Sequence, residues 1–387
     1  MGKFRFLTAG ESHGKGLIAI IEGMPAGVPV IEDDIACDMA RRQVGYGRGE
    51  RMKIERDRAE IISGVRYGVT IGSPISLFII NRDWENWQHI MSVAPGTEEI
   101  PPVTAFRPGH ADLAGVMKYG LKDIRSVLER ASARETAARV AVGSVCRSFL
   151  SEFNVQIRSH TIAIGGVEIS PGTAFDKERV EQSPLRCSDR AKEKEMIEAI
   201  DEAKKAGDSL GGVFEVMALG APPGLGSYVQ WDCKLNGKIA QAMMSINAVK
   251  GVEIGAGFAA AERKGSLVHD VIIPAQGDQY WWRRATNNAG GIEGGMSNGE
   301  PIIVRCAIKP IPTLTKPLPS VDMRTGEPVQ SHVERSDVCV VPAAGVVGEA
   351  MLAIILTEVF LEKFGGDNIR ETRENYDSYM GSIRRRS

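Results

Sequence analysis

The sequence has no strong excess of either charge. It contains 47 lysine and arginine residues against 49 aspartate and glutamate residues, which gives a formal net charge of -2. Proteins that bind nucleic acid usually carry a clear basic excess, so we expect no nucleic-acid partner. Any site for an anionic ligand must then be local and built from a few basic side chains.

The sequence also lacks paired cysteines and membrane-directing segments. Its six cysteines show no CxxC pair and no metal-ligand spacing, which predicts buried free thiols, a reducing compartment and no metal. The first residues lack the apolar core of a secretory signal, and no apolar run is long enough to span a bilayer. We therefore expect a cytoplasmic protein with no membrane partner.

No linker rich in proline or serine, no low-complexity tract and no fixed repeat divides the chain. We expect one domain over residues 1–370, followed by a polar tail, 371–387, that frays. Predicted strands and helices occur in mixed order, which favours an α+β fold over a doubly wound sheet or a barrel.

Apolar patterning places these elements along the chain. Strands are predicted at residues 4–8, 17–21, 61–65 and 75–80. Helices are predicted to begin at Asp33 or Asp34, at Ser132 and at Pro342, the last ending at Gly365. Two more are predicted, one around 239–246 that stops at Gly251 and a charged surface helix over 191–206.

Glycine is the abundant component, with 43 residues, and two glycine motifs resemble known sites without meeting their structural requirements. GESHG at residues 10–14 matches the G-x-S-x-G nucleophile elbow with Ser12 as nucleophile, but Gly23 and Pro25 leave no room for the helix that must follow. The run from Gly255 to Ala260 matches a dinucleotide fingerprint, yet Gly265 interrupts the required helix. A hydrolase using Ser12 and a non-enzymatic anion-binding protein remain alternatives.

Three segments could bind an anion. Basic residues cluster around three glycines between residues 41 and 53, as in a loop that closes guanidinium groups over phosphate or carboxylate, although such a cluster is also typical of a solvated surface. The members are Arg41, Arg42, Arg48, Arg51 and Lys53. Arg130, Ser132 and Arg134 mark a helix N-terminus that could hold phosphate, or an ordinary capping box. The glycines of residues 290–299 could form a backbone anion nest or only a long turn before a strand.

Two of the six histidines lie in glycine-containing turns beside polar neighbours. His13 follows Glu11 and Ser12, and His110 lies in FRPGHAD at residues 106–112. Histidines in such loops are candidate proton donors near neutral pH. The other four lack these surroundings, and we interpret them as ordinary surface or core histidines.

Taken together, these motifs resemble the chorismate synthase family from residue 4 to about residue 356. The similarity rests on separated motifs in a fixed order: GESHG at 10–14, RRQVGYGR at 41–48, FRPGHAD at 106–112, RASARET at 130–136, MSINAVKG at 244–251 and RSD at 335–337. The resemblance implies an α+β fold in which a helical core is sandwiched between antiparallel β-sheets, assembled as a homotetramer.

The resemblance also implies an activity and a cofactor. Members of the family convert 5-enolpyruvylshikimate 3-phosphate to chorismate by 1,4-anti elimination of phosphate, with reduced FMN and without net oxidation. This is the last common step of the shikimate pathway to the aromatic amino acids. NADPH could reduce the flavin in the same chain, with the nucleotide at Arg42 and Arg48, or a separate flavin reductase could supply it.

The resemblance assigns roles to individual residues. His13 would act as an acid toward the departing phosphate, His110 would protonate reduced flavin, and Asp337 with Ser12 would relay a proton. The substrate's phosphate and carboxylates would be bound by four arginines: Arg42, Arg48, Arg107 and Arg134. The flavin-binding positions, besides Arg42 and Arg48, are Arg130, Ala131, Ser132, Asn247, Ala248, Gly294, Lys309, Pro310, Ile311, Pro312, Thr313 and Arg335. The aromatic segment from Trp84 to Trp87 has no assigned role.

Overall fold

Two antiparallel sheets with helices between them form the architecture. The structure is a computed structural model that describes residues 3–49, 56–95, 100–275, 280–333 and 337–384. The strands are β1 (Arg5–Ala9), β2 (Gly16–Glu22), β3 (Ala59–Ser63), β4 (Val65–Arg66), β5 (Val69–Thr70), β6 (Ile75–Ile80), β7 (Gln156–Ile164), β8 (Val167–Glu168), β9 (Gly212–Leu219), β10 (Val249–Ile254), β11 (Ile272–Pro274), β12 (Trp282–Arg284), β13 (Ile292–Glu293), β14 (Met296–Ser297), β15 (Ile302–Ile308), β16 (Pro319–Val321) and β17 (Pro328–Gln330).

The helices are α1 (Glu32–Gln43), α2 (Trp84–Trp87), α3 (Asp112–Tyr119), α4 (Arg125–Ala131), α5 (Thr136–Ser151), α6 (Lys177–Gln182), α7 (Arg190–Ala206), α8 (Leu235–Met244), α9 (Gly265–Val268), α10 (Val341–Phe364) and α11 (Ile369–Arg384). Short 3-10 helices lie at Ala133–Glu135, Trp231–Cys233 and Gly257–Ala260.

The first sheet has the strand order β1-β2-β6-β3, and the second has the order β10-β15-β9-β7-β8. Neighbouring strands are antiparallel in both sheets, with Leu7 opposite Ile20 in the first and Val304 opposite Val216 in the second. Helix α5 packs on β2 and β6, while α10 packs on β7 and β9, and the two helices pack on each other. This confirms the predicted α+β fold with a helical core between antiparallel sheets.

A close approach of backbones joins the two central helices. A Cβ atom on Gly143 of α5 would lie 2.3 Å from the Cβ of Ala350 on α10. Only glycine opposite alanine permits this separation, and it lets the helices exclude water along their shared face. Apart from Glu349 and the charged residues near its C-terminal end, α10 is apolar on all sides, and it is almost entirely buried, as expected for the centre of a large core.

A smaller hydrophobic cluster lies beside the main core. Phe106, Val116, Ile124, Val127 and Leu128 form it, with α3 and α4 contributing most of its members. The same stretch of chain carries His110 at one end and the last turn of α4 at the other. It therefore sets the position of α4 relative to the turn that holds His110.

Several local expectations need correction. The strand at 75–80, the helix to Gly365 and the surface helix at 191–206 are confirmed. Gly251 does not stop a helix, because α8 already ends at Met244 and Gly251 lies in β10, opposite Ala307 of β15. The capping box is incomplete: Ser132 Oγ accepts from Arg134 N at 3.3 Å, and the Glu135 side chain binds Arg139 instead.

The predicted fraying of residues 371–387 was wrong for the part that the structure describes. Residues up to Arg384 belong to α11, which buries Thr372, Tyr376 and Met380. These three residues are four positions apart and share one helix face, so a narrow apolar stripe suffices to dock an otherwise polar segment.

The cysteines and the longest apolar helix also differ from expectation. Cys37 and Cys233 are exposed, so the expectation of buried thiols holds only for the other four free cysteines. α10 is long and apolar enough to cross a membrane, so the statement that no apolar run reaches that length was wrong. Most of this helix is buried inside the protein, as is typical of a core helix.

Candidate active site

The GESHG motif forms a tight turn between β1 and β2. Gly10 has φ +104, and a Cβ there would lie 2.3 Å from Gly16 O, so glycine is required. Asn81, just after β6, donates to Glu11 O at 3.0 Å and Gly14 O at 2.8 Å. Because a strand follows the turn, Ser12 does not lie at a nucleophile elbow.

His13 is held by a carboxylate and an aromatic ring. Its Nδ1 lies 2.7 Å from Glu129 Oε1, and its backbone N–H donates to Glu129 Oε2 at 2.6 Å. The indole of Trp87 in α2 stacks on the imidazole, with ring centroids 3.9 Å apart and planes 17° apart. Glu129 is buried, and its backbone oxygen accepts from Ser12 N at 3.0 Å. The end of α4 thus fixes the whole turn.

His110 forms a second histidine–carboxylate pair. Its Nδ1 lies 2.5 Å from Oδ1 of Asp112, which is fully buried at the start of α3. The backbone N–H and Nε of Arg107 both donate to Asp112 Oδ2, at 2.9 and 3.1 Å. Burial opposes ionisation of Asp112, but hydrogen bonds from His110 and Arg107 outweigh it and lower its pKa to about 2. Asp112 therefore stays ionised and fixes the orientation of His110.

A buried cluster of arginines lies beside the His13 turn. Arg134 Nε donates at 3.0 Å to Oδ1 of Asn81, the residue that also holds the turn. Arg134 and Arg42 share Asp57, at 2.7 and 3.4 Å, and all three side chains are buried. Arg42 is further held by Thr136 and by Ala133 O.

The electrostatics of this cluster favour an anion. Arg48 pairs with Asp337 at 2.8 Å, so the ion pairs of Arg42, Arg48 and Arg134 within the described part of the chain are made with two carboxylates, Asp57 and Asp337. Burial, together with repulsion from Arg134 and Arg48, lowers the pKa of Arg42 to about 10 despite the attraction of Asp57. A bound anion would relieve that repulsion and repay part of the burial cost.

Asp337 and Ser12 have different surroundings. Asp337 accepts from Gly49 N at 2.5 Å in addition to Arg48, which ties it to the basic loop after α1. Ser12 is buried in the turn next to His13. Their joint role as a proton relay stays a prediction.

Arg130 does not join the arginine cluster. Its guanidinium donates to Thr8 O and Gly10 O, both at 3.1 Å, and to Thr8 Oγ1 at 2.9 Å. It therefore clamps the end of β1 and the following turn onto α4. Ser132 acts as the N-cap of the 3-10 helix before α5.

Several of the predicted flavin-binding positions contact one another. We call the surface formed by Ala131, Asn247, Ala248 and Lys309 the wall. Asn247 Nδ2 donates at 3.1 Å to Ala131 O, and Ala248 O accepts from Lys309 N at 3.0 Å. The Lys309 ammonium donates to Gly109 O, next to His110. Ala248 has φ +67, a conformation that is uncommon for a residue with a side chain. The wall thus joins α4, the start of β10 and the segment after β15.

The remaining positions divide into three groups. Pro310, Ile311, Pro312 and Thr313 continue the wall, and Thr313 Oγ1 accepts from Arg107 at 3.2 Å. Gly294 lies in the β13–β14 hairpin, at the N-terminal end of α8, because the neighbouring Gly295 O accepts a hydrogen bond from Leu235 N. Asn247 lies just beyond the C-terminal end of the same helix. Ten helical residues span about 15 Å, so only an elongated ligand could contact both. Arg335, the last predicted flavin-binding position, lies outside the described residues. The same holds for Arg51 and Lys53 of the basic loop.

Comparison with known proteins identifies the family. A family model described as chorismate synthase matches residues 4–361. The chain belongs to the chorismate synthase family. A chorismate synthase of Pelobacter propionicus is 56% identical over 98% of this chain and 99% of its own length, and one of Aquifex aeolicus is 55% identical over 98% of both chains. A crystal structure of chorismate synthase matches with a TM-score of 0.80 and 47% identity over 99% of both chains.

Family membership confirms the resemblance drawn from the motifs. The chain is placed among the carbon–oxygen lyases of the shikimate pathway, which leads to the aromatic amino acids. The chorismate synthase family uses reduced FMN. The flavin-binding positions named from the sequence stay a prediction.

Sequence reasoning missed five side chains that hold the two histidines or the buried arginines in place. The missed residues are Asp57, Asn81, Trp87, Asp112 and Glu129. Asp112 was within reach, because FRPGHAD places it two residues after His110. Glu129 lies 116 positions from His13, and no local pattern connects the two.

Proposed function

We propose that this chain converts 5-enolpyruvylshikimate 3-phosphate to chorismate and phosphate by 1,4-anti elimination in the presence of reduced FMN. The observation that carries the proposal is the cation-rich cluster of Arg42, Arg48 and Arg134, which Asn81 links directly to the His13 turn. Such a cluster suits a substrate with one phosphate and two carboxylates, because guanidinium groups bind both in bidentate fashion.

The residues of the wall fit a flavin. Asn247 Oδ1 is buried and accepts no hydrogen bond from any described residue, while its amide nitrogen is anchored to Ala131 O. An unsatisfied buried acceptor is costly, and the imide N–H of an isoalloxazine ring is a donor of the required kind. The Lys309 ammonium, which donates to Gly109 O and whose pKa is lowered by burial and by Lys250, adds positive charge to the wall. When bound, reduced FMN supplies an electron that assists phosphate departure and is returned once the ring proton is lost.

The chain's own groups would then bind the substrate and move protons. Arg42, Arg48 and Arg134 hold its anionic groups, with Arg107 oriented by Asp112 at the edge of the site. His13 donates a proton toward the departing phosphate, His110 protonates reduced flavin, and Asp337 with Ser12 would relay a proton from the flavin's N5 position.

The exposed face of the first sheet supports the proposed homotetramer. Leu7, Ile18, Ile20 and Ile80 point away from the core and are exposed, at 66%, 40%, 42% and 59%. A contiguous apolar sheet face of this kind is typical of a subunit interface. Four buried free cysteines agree with the proposed cytoplasmic location.

The proposed function is tested by anaerobic release of phosphate from 5-enolpyruvylshikimate 3-phosphate with chemically reduced FMN. We expect His13→Ala and His110→Ala to retain FMN binding and lose most turnover, about 100-fold or more. Wild-type turnover in both variants would contradict the proposed function. Repeating the assay with oxidised FMN and NADPH distinguishes a chain that reduces its own flavin from one that needs a separate reductase.

A further inference from the structure

We infer that Glu129 and Trp87 are positioning residues for His13. Glu129 holds the proton on Nδ1, so that Nε2 is the nitrogen presented for proton transfer, and Trp87 holds the plane of the ring. The inference rests on the proposed function only for its kinetic consequence, because the tautomer of His13 can be observed without turnover.

The contacts of Glu129 require two acceptors side by side. One carboxylate oxygen accepts the His13 backbone N–H at 2.6 Å and the other faces Nδ1 at 2.7 Å. An ionised carboxylate has acceptors only, so the group bound to it through Nδ1 must be N–H. Because the Glu129 side chain is only 4% exposed, water competes little for either oxygen.

Nε2, the other ring nitrogen of His13, is available for proton transfer. His13 Nε2 has no hydrogen-bond partner among the residues that the structure describes, and the side chain remains 20% exposed. With Nδ1 committed to Glu129, a proton can be gained or released only at Nε2. This is the arrangement by which a carboxylate orients a catalytic histidine in an acid–base pair.

Trp87 restrains the remaining freedom of the ring. The χ2 torsion of histidine has a broad energy minimum. A hydrogen bond to Nδ1 alone would therefore let the ring rotate about χ2 and displace Nε2. The stacked indole lies 3.9 Å away with planes 17° apart and blocks this motion. The indole is itself fixed, because Trp87 Nε1 donates to Asp83 Oδ2 at 3.1 Å.

A glutamine at position 129 would invert the tautomer without changing the shape of the side chain. Its amide offers one acceptor and one donor, and the backbone N–H of His13 takes the acceptor. The amide NH2 then donates to Nδ1, which must lose its proton, so Nε2 carries the proton in a neutral ring. Protonating that ring would break the new bond, which removes the acid function while the fold and the ligand contacts remain.

The first test is histidine nitrogen NMR on the full chain without ligands, with His13→Ala used to assign the His13 signals. We expect wild type and Glu129→Asp to show the proton on Nδ1, and Glu129→Gln to show it on Nε2. An unchanged tautomer in Glu129→Gln overturns the inference, whatever the activity.

The second test measures kcat and KM separately in the phosphate-release assay. We expect Glu129→Gln to lower kcat about 100-fold or more with KM within about 3-fold, and Trp87→Ala to lower kcat about 10-fold, with most activity restored in Trp87→Phe. The matched controls are Glu193→Gln and Trp84→Ala, and both should keep wild-type kcat. Glu193 is a buried carboxylate that binds Arg179 and Ser183. Loss of activity in His13→Ala with wild-type kcat in Glu129→Gln overturns this inference alone, whereas wild-type turnover in His13→Ala overturns the proposed function.

Discussion

One nitrogen of the Arg134 guanidinium lies 2.7 Å from both carboxylate oxygens of Asp57. Arg42 approaches the same carboxylate, at 3.4 Å, from the neighbouring helix α1. Asp57 is thus the internal counter-ion that lets two buried guanidinium groups coexist before an anionic ligand arrives.

Removing that counter-ion should weaken the fold and strengthen anion binding. We expect Asp57→Asn to lower the free energy of unfolding by about 3–5 kcal/mol, because it leaves buried positive charge unpaired. Inorganic phosphate should restore more stability to this variant than to wild type. Urea unfolding at several phosphate concentrations measures both effects, and Asp33→Asn, at an exposed ion pair with Arg58, should change little. Equal phosphate effects in the two proteins would argue against an anion site at this cluster.

The Asp112 carboxylate should contribute a defined acid limb to the stability profile. Its pKa falls from 3.8 to about 2 in the folded state, so its stabilising effect is full above about pH 4 and is lost as the pH falls toward 2. This difference corresponds to about 2 kcal/mol. In Asp112→Asn, the free energy of unfolding should decline less steeply across that window, although the variant is less stable overall. An identical slope in wild type and variant would contradict the assignment.

The Asn247 amide oxygen should contribute to flavin affinity. We expect Asn247→Ala to weaken FMN binding about 10-fold, which corresponds to the loss of one hydrogen bond to a buried group. The phosphate-induced rise in Tm should stay unchanged, since the arginine cluster is intact. Quenching of FMN fluorescence gives the Kd. Asn375→Ala removes an amide that binds Phe364 O and serves as the control. Unaltered FMN affinity in Asn247→Ala would exclude this contact.

Glu349 should be among the most sensitive positions for stability. It is fully buried on α10 and accepts hydrogen bonds from Arg41, Arg147, Arg186 and Ser159. Burial opposes its ionisation, but the arginines outweigh it and lower the pKa of Glu349. Removing the charge with Glu349→Gln should cost about 3–5 kcal/mol, because three arginines lose a shared partner.

Denaturant unfolding of Glu349→Gln beside Glu358→Gln checks this. Glu358 lies on the same helix but pairs with Lys238 at a more exposed position, so its loss should cost at most about 1 kcal/mol. Similar losses in the two variants would show that the Glu349 network is not a stabilising centre.

The outer face of the first sheet should hold the subunits together. We expect Ile18→Lys to shift the mass in analytical ultracentrifugation from that of the proposed tetramer toward smaller species, because a charge replaces apolar contact area. Tyr67→Asn, at an exposed turn between β4 and β5, should leave the assembly unchanged. An unaltered tetramer in Ile18→Lys would place the interface elsewhere.

The sequence predicted the parts of this structure that depend on nearby residues. β6 and α10 follow from continuous apolar runs, and the turn at His13 follows from closely spaced glycines. The partners of His13 and Arg134 could not be predicted, since Glu129 and Asp57 lie 116 and 77 positions away and meet them only through the packing of α4 and α5. α11 was missed for another reason: its buried stripe of Thr372, Tyr376 and Met380 is narrow within a polar composition.

The position of α10 in the chain constrains how the protein is made. The ribosome must first add at least the 340 residues that precede Val341 in this sequence, which takes roughly 20–70 s or more at typical rates of synthesis. Until then α5, β7 and β9 lack the helix that they pack against, and their apolar faces stay open to water. The nascent chain therefore carries a large exposed apolar surface from the completion of β9 at Leu219 until α10 has been made, and we expect it to depend on chaperones that shield such surfaces until translation has passed Phe364.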